Sequence, residues 1–160
     1  MKKVYGKYGH CWIKNYSGTY HFDCALNNTF SFLVPKKDKI EDWILKNNEF
    51  FLSFFAGYVD AEGTIKIYDK RARFRVGSYD KNFLLQFFKK LSELGIEATY
   101  KLETKASKKQ HGDFWRIGIS RMESLLNLFN LIEQYMKHND RLSDLKKAKE
   151  NVLLRLKKRG

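Results

Sequence analysis

Two carboxylates, Asp60 and Glu62, stand two residues apart just before Gly63, at the end of the run Phe50-Phe51-Leu52-Ser53-Phe54-Phe55-Ala56-Gly57-Tyr58-Val59. That run carries apolar residues on every side of a helix, the pattern of a helix buried all round, and is too short to span a bilayer. A helix C-terminus disfavours anions, because the macrodipole is negative there. Acidic groups placed against that preference point to a cation. The same residues also permit a core helix with a solvated, Gly-terminated end, and on their own they leave both readings open. Ser53, Gly57 and Ala61 recur every fourth residue. A stripe of such small side chains lets a second helix backbone approach closely.

Three other groupings have chemical potential. After Gly63 the period changes to two: Thr64, Lys66 and Tyr68 alternate with Ile65 and Ile67, and Arg71, Arg73 and Arg75 alternate with Ala72, Phe74 and Val76. With a turn at Asp69-Lys70 this reads as a hairpin with one apolar and one cationic face. Such a ribbon fits a DNA major groove, where arginine pairs with guanine or clamps phosphate. Three arginines on one face of one strand repel each other unless an anion joins them. The segment Lys105-Ala106-Ser107-Lys108-Lys109-Gln110-His111-Gly112 reads as a basic loop suited to phosphate contacts. His10, Cys11, His21 and Cys24 are zinc-ligand types, but their spacing matches no common finger.

The elements that must position these groups follow from punctuation and period. Residues 1–34 read as short aromatic-rich strands broken at Gly6, Gly9, Ser17-Gly18 and Asn27-Asn28, with Thr29 to Val34 as a further extended run. They form a small β appendage, docked on the main domain or touching DNA. Pro35-Lys36-Lys37 is a linker. Asp38 and Glu41 have capping-box spacing ahead of Ile40, Trp43 and Ile44, and Asn47 or Asn48 caps the apolar helix. Asp80 caps a helix stopped by Gly95. Residues 97–104 and 113–120 form a second strand pair, with Trp115, Ile117 and Ile119 inward and Phe114 and Arg116 outward. Ser120 and Glu123 open another helix as a capping box. A last helix starts at Asn139 or Asp140, has Leu142, Leu145, Val152 and Leu156 as its seam, and ends in the basic run Arg155 to Arg159.

Composition narrows the partners. The chain has 160 residues and a net charge of +13, which favours a polyanion. Residues 39–63 nevertheless hold five acidic side chains against two basic ones, an acidic island in a basic chain. No apolar run follows Met1-Lys2-Lys3, so no signal peptide or membrane partner is expected. A cytoplasmic, reducing setting (organellar in a eukaryote) with Cys11 and Cys24 as free thiols is the expectation.

Phe55-Ala56-Gly57-Tyr58-Val59-Asp60-Ala61-Glu62-Gly63 resembles the LAGLIDADG motif of homing endonucleases and RNA maturases. Ala56, Gly57, Asp60, Ala61 and Gly63 match letter for letter, and Glu62 replaces the final Asp. The order helix, strand pair, helix, strand pair, helix, helix matches that fold over roughly residues 48–138. The resemblance implies an α+β endonuclease domain over 39–160, α-β-β-α-β-β-α with an antiparallel β saddle, behind a β-rich extension of residues 1–38. Only one copy of the motif is present, and single-motif members act as homodimers. Ser53, Ala56, Gly57, Asp60 and Ala61 would then form the dimer interface.

The resemblance further implies cutting of a long, near-palindromic double-stranded DNA site by an intron-encoded enzyme. Glu62, with Ala61 beside it, would hold the catalytic divalent metal, and Asp60 would be mainly structural. Mg²⁺ fits, because it needs only one or two carboxylates when waters and phosphates complete its sphere. Ser78 or Arg75, and Lys137 or Arg141, are candidates for the polar and basic groups around it. The DNA surface would comprise Thr64, Lys66, Tyr68, Arg71, Arg73, Arg75, Lys101, Lys105, Lys108, Lys109 and Arg116. Two rivals share the scaffold: a maturase binding its host intron RNA, and a DNA-binding regulator that no longer cuts.

Overall fold

The computed structural model describes residues 2–6, 9–26, 38–108 and 112–159. Over 2–26 it describes side chains only at Lys14, Asn15, Ser17, Gly18 and Tyr20. The run Thr29 to Val34, the turn at Asn27-Asn28, the linker Pro35-Lys36-Lys37 and Lys109 lie outside the described residues, as do the side chains of His10, Cys11, His21 and Cys24. The chain divides into two compact units, Met1–Lys37 and Asp38–Gly160.

In the first unit, strands β1 (Lys2–Gly6), β2 (Gly9–Tyr16) and β3 (Thr19–Leu26) form an antiparallel meander. Ser17 and Gly18 both take positive φ between β2 and β3, the geometry whose twist matches that of a two-residue hairpin. The Asn15 side chain accepts the Gly18 N–H at 3.0 Å.

The second unit opens with a short helix α1 (Asp42–Lys46) and the long helix α2 (Asn48–Glu62). Asn47 is the cap of α2, its side chain accepting the Phe50 N–H at 3.0 Å. Asp38 does not build a capping box for α1. Its carboxylate instead accepts the N–H groups of Asn82 and Phe83 at 3.3 and 2.8 Å. It thereby caps helix α3 (Lys81–Glu93), where Asp80 makes no side-chain cap bond. A carboxylate from a distant segment suits these amides because helix N-termini attract negative charge wherever it comes from. Gly95, at φ 74°, ends α3 with the Ile96 N–H returning to the Leu91 carbonyl.

Strands β4 (Thr64–Tyr68), β5 (Arg71–Ser78), β6 (Thr99–Thr104) and β7 (Phe114–Ile119) make one antiparallel sheet in the order β4-β5-β7-β6. Asp69 and Lys70 both take positive φ in the β4–β5 turn. The register pairs Thr64 with Arg75, Lys66 with Arg73 and Tyr68 with Arg71. Ile65, Ala72, Phe74, Val76, Ile117 and Ile119 are buried on the other face against Phe51, Phe55 and Val59 of α2 and Leu84, Phe87 and Leu91 of α3. Ile67 departs from the pattern and is exposed.

Helix α4 (Met122–Ile132) follows β7. The Ser120–Glu123 capping box does not form: Arg121 is the cap residue and contributes no side-chain bond. Helix α5 (Asn139–Lys157) is capped by His138, whose Nδ1 accepts the Arg141 N–H at 3.4 Å. Leu145, Ala148 and Val152 are its buried seam, with Leu142 and Leu156 at the margin. Its Asn151 side chain accepts the Ala72 N–H at 3.1 Å and donates to the Lys70 carbonyl at 3.2 Å, clasping the turn of the cationic hairpin.

Helix α2 is apolar all round, yet the single chain does not bury it all round. Phe51, Leu52, Phe55, Ala56 and Val59 are buried, whereas Phe50, Ser53, Phe54, Gly57 and Ala61 are exposed. The exposed residues fall at helical spacing and so form one continuous face. Ala56 is completely buried in its own core, so it cannot belong to an interface between chains.

Candidate functional site

Glu62 ends α2 and Thr64 begins β4, so one tight junction sets the carboxylate beside the cationic face of the sheet. Gly63 makes that junction tight. Its φ of −74° is open to any residue, but an added Cβ would lie 2.6 Å from the Val59 carbonyl oxygen and 2.7 Å from Val59 Cγ1. Glycine is needed here for space. Gly77 plays a similar part on the sheet, since a Cβ there would meet the Phe114 ring at 2.5 Å.

Glu62 is exposed and lines an open cleft of about 420 Å³ together with Thr64, Lys66, Tyr68, Arg75 and Arg116. Glu103 also lines it and pairs with Arg116. Arg75 lies 5.7 Å from the centre of the Tyr68 ring, a cation–π contact that holds the guanidinium on the sheet face. A neighbouring cleft lined by Arg73, Arg75, Arg116 and Ser120 continues the cationic track along β5. Lys101 is opposite Arg116 in the β6–β7 pairing and is exposed. Lys105 and Lys108 are exposed in the loop beyond, whose base is tied by the Asp113 side chain accepting the Ala106 N–H at 2.8 Å.

Asp60 does different work. Its Oδ2 accepts the backbone N–H groups of Lys137 and His138 at 2.7 and 3.1 Å, tying the end of α2 to the start of α5. Oδ1 is buried without a hydrogen-bond partner among the described residues, as is Arg141 Nε. Asp60 thus points to the segment entering α5, away from the free stripe on which Ser53, Gly57 and Ala61 are exposed.

Ser78, Lys137 and Arg141 do not join the cleft of Glu62. Ser78 follows Ala72, Phe74 and Val76 onto the buried face of β5, where its hydroxyl accepts the Asp80 N–H at 3.0 Å. Lys137 meets the α2 end through its backbone amide, and Arg141 lies within the first turn of α5. Glu103 was not expected. It shares period two with Thr99 and Lys101, so the alternation of β6 carried the signal.

No group of three or more His, Cys, Asp or Glu gathers among the described residues. The donor set at the cleft is oxygen: the Glu62 carboxylate, without an ion-pair partner among those residues, and the Glu103 carboxylate, which is paired with Arg116. A single unpaired carboxylate fits a hard cation that keeps most of its sphere for water and phosphate. It does not fit a metal that needs a protein cage. No helix among the described residues is long and apolar enough to cross a membrane.

No curated protein matches the chain. The fold is similar to that of the homing endonuclease I-CvuI in complex with its target in the presence of 2 mM Ca. The TM-score is 0.52 and the identity 17%, over 66% of this chain and 67% of that one. It is likewise similar to I-CvuI in complex with the I-CreI target in 2 mM Mg, where the DNA is not cleaved. There the TM-score is 0.51 and the identity 16%, with the same coverage of both chains. These likenesses show the fold. Residues 49–133, more than half of the chain, match the family described as LAGLIDADG-like domain. With its motif at the end of α2 and its four-stranded sheet, the chain belongs to the LAGLIDADG homing endonuclease family.

Proposed function

We propose that the chain is a site-specific endonuclease that cuts both strands of a near-palindromic DNA site as a homodimer, and that it is intron-encoded. One observation carries the reading: the Glu62 carboxylate opens into the cleft that Lys66, Arg75 and Arg116 line from the sheet face. Duplex phosphates held by those cations come within reach of an acidic group, which a purely electrostatic binding surface has no use for. Lys66, Arg73 and Arg75 bind and orient the backbone, and Thr64 and Tyr68 flank the scissile region. Arg116, tethered by Glu103, holds the side of the cleft that β6 and β7 provide. Glu62 of each protomer would hold the divalent ion, Mg²⁺. When bound, that ion lowers the pKa of a water nucleophile and stabilises charge on the leaving oxygen. The exposed stripe Phe50, Ser53, Phe54, Gly57 and Ala61 offers the surface on which two copies meet, with two-fold symmetry matching a near-palindrome.

The test is cleavage of a randomised DNA-site library in Mg²⁺, with Ca²⁺ as a binding-only control. Staggered cuts in a near-palindromic site are the expected result. Tight binding in Ca²⁺ with no cutting in Mg²⁺ overturns the nuclease and leaves a regulator. Absence of duplex binding by folded protein, with binding to its host intron RNA, replaces it with a maturase.

A further inference from the structure

The cationic face does not end at Glu62's side of the sheet. At the far end of β5 a second cleft, of about 410 Å³, gathers Arg71, Arg73, Arg121, Arg155 and Arg159, with Glu123 as its one carboxylate. These arginines come from three separated parts of the chain: the hairpin strand β5, the cap of α4 and the end of α5. Arg121 is exposed and pairs with Glu97. Among the described residues, Arg71, Arg73, Arg155 and Arg159 take no carboxylate partner. Cations at the end of α5 complement its macrodipole, and one or two there need no further reason. That account does not reach Arg71 and Arg73, which belong to a strand and share the cleft. Bringing five guanidinium groups from three elements into one concavity costs repulsion unless an anion completes it.

The cleft is continuous with the site already described. Arg73 and Ser120 line both it and the neighbouring cleft, which in turn shares Arg75 and Arg116 with the Glu62 cleft. From Arg75 to Arg71 the strand advances four residues, about 13 Å. We infer that this arginine cleft is a second phosphodiester-binding site, which grips the DNA backbone outward of the cutting position and is completed by the last helix. The inference rests on the duplex-binding reading above, and adds α4 and α5 to a surface so far made of strands. Guanidinium groups suit it because their planar fork takes phosphate oxygens two at a time.

The experiment measures binding of a labelled random-sequence duplex in Ca²⁺ across a range of KCl concentrations. It compares the intact chain with Arg155→Ala/Arg159→Ala, Arg155→Lys/Arg159→Lys and Arg75→Ala. Each phosphate contact contributes roughly 0.9 to the slope of log affinity against log salt. The Ala pair is expected to lower the slope by about one to two and weaken binding roughly tenfold at moderate salt, while the Lys pair keeps the slope. The Lys pair separates lost charge from lost fold. An unchanged slope in the Ala pair, with Arg75→Ala weakened, overturns the arginine cleft and leaves the sheet face standing. Failure of the intact chain to bind any duplex overturns both readings together. Loss confined to a hairpin RNA used as competitor overturns the duplex assignment and makes this an RNA site.

Discussion

Asp60 and Glu62 are two residues apart and carry the same charge, yet their surroundings separate them. Asp60 accepts two backbone N–H groups at the entry to α5, whereas Glu62 is exposed at the mouth of a cleft. Asp60→Ala removes two charge-assisted hydrogen bonds and leaves the amides of Lys137 and His138 without their acceptor. Folding stability should fall by about 2 kcal/mol, a drop in Tm of roughly 4–8 °C for a chain of this size. Glu62→Gln keeps the shape and touches no internal partner, so its Tm should stay within about 2 °C. Its cleavage should fall by about three orders of magnitude through loss of the metal ligand, with binding in Ca²⁺ largely kept. Thermal unfolding run beside a cleavage assay checks both. A Glu62→Gln variant that cuts at the parental rate removes the metal assignment, and an Asp60→Ala variant with an unchanged Tm removes the structural one. Position in the motif pointed at this pair, and the tertiary contact to Lys137 and His138 separates their roles. Ser78 shows the opposite case. Period two from Ala72 already places it on the buried face, so nearness in sequence to the cleft was the weaker guide.

At the scale of elements, the junction between α2 and β4 decides where Glu62 stands. Gly63 turns the chain from helix to strand hard against Val59, one turn back in α2, with no room for a methyl group. Gly63→Ala must therefore shift the chain at this junction away from Val59, costing about 1–3 kcal/mol as overpacking and moving the carboxylate relative to Arg75 and Arg116. Cleavage should fall more than binding in Ca²⁺, because the cationic face is built by β5 and β7 and stays in place. Equal losses in both would show that the junction supports the whole sheet. The elements themselves were legible in the sequence, since alternation and helical spacing record burial directly. The Asn47 cap of α2 and the Gly95 stop of α3 were legible too, but the N-terminal caps of α3 and α4 were not. Asp38 caps α3 from across the fold, because a capping amide donates to whatever acceptor the tertiary structure brings to it, whereas Arg121 stands where Ser120 was expected and makes no side-chain cap bond. The arginine cleft is of the same kind: Arg71, Arg121 and Arg155 meet only once α4 and α5 have docked.

For the whole molecule, the question is what covers α2. An apolar helix with an exposed face made of Phe50, Ser53, Phe54, Gly57 and Ala61 leaves hydrophobic surface in water, and the small residues in it leave room for a close neighbour. Gly57 discriminates between a face meant for solvent and one meant for a second copy. A Cβ at Gly57 meets nothing within 4 Å in the single chain, so the protomer gives no reason for glycine. A helix interior should prefer alanine by about 1 kcal/mol. Gly57→Leu should thus leave the fold of each chain intact by circular dichroism, while its bulk holds two helices apart. Sedimentation should show the dimer converted to monomer. Affinity for a near-palindromic duplex should drop well beyond tenfold, since two half-sites no longer engage as one body, and cutting should stop with it. An unchanged dimer mass in Gly57→Leu would put the interface elsewhere. A parental chain that is itself monomeric when bound to its DNA would remove the homodimer, and with it the reason for a palindromic site.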